Sequence, residues 1–103
     1  MGTAIFAISK YGDKSQKLRG RLVASGDHNT STSATNLTDG AAGGGSAVTA
    51  TKGDVLTIRT DTTARVHFGG LTATATVGQP VFVDETTDLE IPASGAISII
   101  DLA

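Results

Sequence analysis

The chain has no cysteine and no tryptophan, only two prolines and two histidines in 103 residues, and aromatic side chains make up just 4% of it. Without cysteine there is neither a disulfide nor a thiolate metal site, so packing alone must hold the fold, and the redox compartment stays open. His28 and His67 are the only imidazoles, fewer than the three or more protein ligands a zinc or iron site normally takes. Long apolar runs are missing too. The first one, TAIFAIS at residues 3–9, is too short to span a bilayer and lacks the basic start and long apolar stretch of a secretory signal, so it reads as part of the fold.

What is present suits a pleated surface. Threonine, alanine, valine and isoleucine are plentiful, and hydrophobic residues make up 39% of the chain. At this length the expectation is one β domain over residues 1–103, burying a modest fraction of its surface, with association as a further source of stability. The net charge of −2 is unevenly placed: residues 1–21 hold Lys10, Lys14, Lys17, Arg19 and Arg21 against Asp13, and the remainder holds three basic and nine acidic side chains. A basic strand or arm region over residues 1–25 either meets an acidic partner or is a solvated loop.

Periodicity gives strands nearly throughout and no helical repeat. Ala4 to Ile8 reads as a strand, and KYGDKSQK at residues 10–17 as a turn or exposed arm. Leu18, Leu22 and Ala24 share a parity opposite Arg19 and Arg21. Residues 26–47 are polar and rich in Gly, Ser and Thr, a loop region with room for a short strand at Asn36 to Thr38. Val48 and Ala50, the KGD turn at Lys52 to Asp54, then Leu56 and Ile58 read as a hairpin. Ala64, Val66 and Phe68 share a face with Arg65 and His67 opposite, and Ala73, Ala75 and Val77 repeat the pattern as a second strand after Gly69 and Gly70. Pro80 suits a strand edge because it lacks a ladder donor. Leu89 and Ile91 flank Glu90, PASG at residues 92–95 is a tight turn, and AISIIDL closes the chain. Short strands with frequent turn signals predict an all-β fold, an antiparallel β-sandwich or jelly roll.

No stretch carries recognisable chemistry. A phosphate-binding glycine loop needs a helix after it, and FGGLTATAT leads into a predicted strand, so Gly69 and Gly70 read as a turn. No G-x-S-x-G elbow is present. The KGD tripeptide reads as a turn rather than an adhesive signal, and the acceptor patterns at Asn29 and Asn36 mean little without a secretory signal. Asp84, Glu85 and Asp88 lack the ligand spacing of a calcium loop. No catalytic, cofactor or metal residues are assigned.

The ordered series VTATKGDVLTIRTDTTARVHFGGLTATATVGQPVFVDETTDLEIPASGAISII resembles small structural proteins of tailed bacteriophages. In these, a Gly-Asp turn, an A-x-V-x-F-G strand, a T-A-T-A-T strand, a V-x-V element and a P-x-x-G-x-I-x-I hairpin follow in this order. The resemblance covers the second half of the chain, and Gly69, Gly70 and Leu71 after Phe68 depart from the usual pattern. It implies a compact β-sandwich or jelly-roll module of the virion, often a trimer: a capsid decoration protein, or a tail, baseplate or fibre component. On that reading the partners are the major capsid protein or other virion proteins, with no cofactor, no nucleic acid and no membrane. The docking set is then Lys10, Lys14, Lys17, Arg19 and Arg21. Ile100 and Leu102, opposite in parity to Ile97 and Ile99, face another subunit, as does the second apolar face of AIFAI. A carbohydrate-binding module is the alternative from another class, with Phe6, Tyr11, Phe68 and Phe82 as the candidate aromatic platforms.

Overall fold

Alternation builds the first strand as far as Ile8. In β1 (Gly2–Tyr11), Ala4, Phe6 and Ile8 are buried while Ile5 stands 58% exposed on the other face. The computed structural model describes residues 2–11, 19–40 and 45–102, with the backbone alone for Tyr11 and residues 19–23. β1 pairs antiparallel with β2 (Arg19–Thr30) on one side and with β5 (Val55–Thr60) on the other. β8 (Thr87–Glu90) completes a sheet of order β2-β1-β5-β8.

A second antiparallel sheet contains β3 (Thr35–Asn36), β10 (Ser98–Asp101), β6 (Ala64–His67) and β7 (Gln79–Val81), in the order β3-β10-β6-β7. Pro80 sits in its edge strand opposite Arg65, where a missing N–H costs no ladder bond. A short pair, β4 (Thr49–Ala50) with β9 (Gly95–Ala96), joins the two halves of the chain. No helix occurs among the described residues. Ile8, Leu56 and Ile58 from the first sheet and Val66, Val81 and Ile99 from the second are fully buried in one core. Full burial of each such side chain contributes about 1.5–3 kcal/mol. The protein is an all-β antiparallel sandwich.

Five segments differ from their sequence pattern. β2 does not stop where composition turns polar at Gly26 but runs to Thr30, its register fixed by the ladder from Ala7↔Ser25 to Gly2↔Thr30. Gly26 belongs there because a Cβ would lie 2.7 Å from the Gly40 nitrogen, where the following segment forms a parallel bridge with the strand. The short strand expected at Asn36 to Thr38 is present as β3 one residue earlier, at Thr35–Asn36.

The KGD turn forms, with the Asp54 N–H donating to Thr51 O at 3.1 Å, but the strands on either side of it do not pair with each other. Ile91 holds the turn from outside: its N–H donates to Asp54 O and its carbonyl accepts from Gly53, so the chain passes from one pair of strands to another.

Residues 72–77 form no strand. Thr74 Oγ1 accepts the N–H groups of Thr76 and Val77, and the Thr74 N–H donates to Val77 O at 2.9 Å, a side-chain-capped turn that outcompetes the ladder. Only Ala73 of the expected apolar face is buried; Ala75 and Val77 are exposed. Lastly, Lys10 and Tyr11 belong to β1 rather than to an arm, and residues 12–17 of that expected arm lie outside the described residues.

Candidate docking surfaces

The basic residues flank one end of the β1–β2 hairpin. Tyr11 pairs with Arg19, which sets Lys10, Arg19 and Arg21 at the same end. Lys14 and Lys17 lie outside the described residues, as do the side chains of Arg19 and Arg21. Lys10 is tied down in part: its Nζ is 3.5 Å from Oδ1 of Asp54, whose side chain is only 6% exposed. The lysine thereby staples the hairpin to the KGD turn while remaining half in solvent, and a pair of this kind is screened on its exposed side.

The carboxyl-terminal pair stands on the other sheet. Ile97 and Ile99 are fully buried, whereas Ile100, opposite Arg65, and Leu102 are half-buried. The proposed docking set is thus split between two sheets. Larger apolar exposures lie where sequence parity did not place them: Leu71 and Val77 on the loop after the double glycine, and Phe82 and Val83 after β7. Phe6 and Phe68 are buried in the core, so of the described aromatic side chains only Phe82 stands open.

On the outer face of the first sheet, two hollows meet at Ile5 and Arg59. One, of about 240 Å³, is also lined by Ala7, Thr57 and Thr86. The other, of about 200 Å³, adds Thr3, Asp61 and Asp84.

The double glycine is explained by packing. Gly69 and Gly70 have φ of 73° and 78°, as the expected turn demands. Gly95, in the PASG turn, has φ of 139°, and a Cβ on it would stand 2.8 Å from Gly69 C and Gly70 N. Two glycine turns press backbone on backbone there.

The histidines are far apart in role. The half-buried His67 accepts the N–H of Phe68 through its own Nδ1 at 3.0 Å. His28 is buried on the inner side of β2: Nδ1 accepts from the Thr38 hydroxyl at 2.9 Å and the Thr38 N–H at 3.3 Å, and Nε2–H donates to the Thr35 hydroxyl at 2.9 Å. Burial lowers its pKa below the ordinary 6.5. Its polar neighbours in sequence gave no sign of this burial; the signal was its parity with Ala24, extended through Gly26.

Among the described residues, no three His, Asp or Glu side chains gather where they could hold a metal ion. The fold is that of an antiparallel sandwich with two hollows on the outer face of its first sheet. No family model, no curated protein and no solved structure matches the chain.

Proposed function

We propose that the protein is a non-enzymatic structural component of a bacteriophage virion, a capsid decoration protein that attaches to the head surface and reinforces it. The observation that carries this reading is the exposure of large apolar side chains, Ile5, Leu71, Val77, Phe82 and Val83, on several parts of a small closed sandwich. Large apolar side chains left open in this way are available to be covered by another molecule. The ordered motifs from the KGD turn to the final Ile pair supply the phage assignment, since they occur in the order seen in small virion proteins. The basic hairpin end docks on an acidic capsid surface, Ile100 and Leu102 meet a neighbouring subunit in a trimer that forms once the copies are held side by side on the capsid, and several contacts per particle raise the effective concentration of each later one.

The test is co-sedimentation with undecorated capsids. The triple variant Lys14→Glu, Lys17→Glu, Arg19→Glu should bind at least tenfold more weakly than the parent, and parental binding should fall with salt, since exposed charges are screened over about 8 Å at physiological ionic strength. Equal binding of parent and variant across a salt series would remove the basic end from the docking set.

A carbohydrate-binding module is the second reading, and Phe82, 54% exposed, is the observation that favours it. A glycan array separates the two: saturable sugar binding lost in Phe82→Ala would support the module.

A further inference from the structure

The outer face of the first sheet is acidic around an apolar centre. Ile5, 58% exposed, projects between its cross-strand partners Asp27 and Arg59. Asp61 and Asp84 line the hollow on one side, and Asp88 faces Thr57 across the ladder on the other. Four carboxylates therefore share this face with Ile5, with the Arg59 guanidinium as the one cation lining either hollow. That guanidinium is already 3.9 Å from Asp84 Oδ1. The same chain carries the opposite pattern between residues 10 and 21, five cations against Asp13, with Tyr11 and Leu18 as apolar side chains among them.

Ile5 and Tyr11 lie six positions apart along β1, about 20 Å at the rise of a β-strand, so the acidic centre and the start of the basic segment stand well apart on the same strand.

We infer that the acidic face centred on Ile5 receives the basic hairpin end of a second copy of this chain. Because the two patches differ, the contact is head-to-tail, and it closes into a ring or runs on as a filament according to the rotation between subunits. Ile5 and the hollows beside it take the apolar side chains of the incoming segment, while the carboxylates pair with its lysines and arginines. The inference rests on the reading of the basic segment as a docking element and is independent of the virion assignment.

Mass in solution, measured by light scattering on the full chain without capsids, tests it. At about 100 µM and low salt the parent should be a multimer, and it should fall to the mass of one chain near 1 M salt, where the screening length is about 3 Å. The tip-reversed variant, Lys14→Glu with Lys17→Glu, and the face-reversed variant, Asp27→Lys with Asp88→Lys, should each be monomeric. Placing all four substitutions in one chain should restore the multimer, and Ile5→Thr should weaken it at least tenfold.

Three results would overturn the inference: a parent that is monomeric at low salt, a multimer indifferent to salt and to either reversal, or a folded four-fold variant that stays monomeric. The salt series on the unmodified chain distinguishes these outcomes even where a variant fails to fold. A monomeric parent that still attaches to capsids through Lys14 and Lys17 would refute this contact and leave the decoration reading standing.

Discussion

His28 is fully hydrogen-bonded only as the neutral ring, since its Nδ1 already accepts two donors from Thr38. Protonation would aim an N–H at another N–H inside the sandwich. With the folded pKa held below 6.5 by burial, the unfolded chain binds more protons as pH falls through that value, so stability is full above pH 6.5 and declines below it. The slope for one group is at most about 1.4 kcal/mol per pH unit. Thermal unfolding between pH 7.5 and about pH 5 should show this decline, and His28→Gln, which keeps a donor and an acceptor but does not titrate, should flatten it. A second residue-scale prediction concerns Gly95. Gly95→Ala adds both a strained φ and a clash with the Gly69–Gly70 backbone, whereas Gly70→Ala adds strain with nothing within 4 Å. Strain alone costs about 1–3 kcal/mol, so the melting temperature should fall clearly further for Gly95→Ala than for Gly70→Ala; equal losses would refute the close packing of the two turns.

Elements formed where alternation agreed with a partner strand. Ala4, Phe6 and Ile8 in β1, Leu56 and Ile58 in β5 and Val66 in β6 face the core as their parity requires, and Pro80 sits on an edge. Pairing partners were not legible, because alternation says which face a residue takes and not which strand lies beside it: the strands around the KGD turn belong to different pairs. Nor was the run Leu71 to Val77 legible as a loop, since threonine favours strands by shape and turns by its hydroxyl, and here Thr74 settles the matter. Arg65 fixes that loop from β6, donating from Nε to Ala75 O at 3.2 Å and from Nη1 to Gly78 O at 2.8 Å. Arg65→Met should keep the strand and release the loop, speeding amide exchange of Thr74 and Val77 at least tenfold and costing about 1–3 kcal/mol for carbonyls left without a charged donor. Unchanged exchange at both amides would show that the threonine turn holds by itself.

The molecule combines an apolar interior with several large apolar side chains left open on its surface. Its core joins both four-stranded sheets, yet Ile5, Phe82 and Leu71 remain more than half exposed. From the sequence, the parity of Ile5 and Ile100 signalled spare apolar faces, while the exposure of Phe82 and Leu71 depended on loops whose course no alternation encodes. A surface of this kind gains most when it is covered many times over on a repeating lattice, where later contacts form at high effective concentration. The direct measurement is the thermal stability of capsids with and without saturating protein, followed by release of the packaged genome on heating. A decoration protein should raise the temperature of release by several degrees at saturation, and the triple variant Lys14→Glu, Lys17→Glu, Arg19→Glu should forfeit that gain. Capsids that release their genomes at the same temperature with no protein bound to them would contradict the reinforcing role.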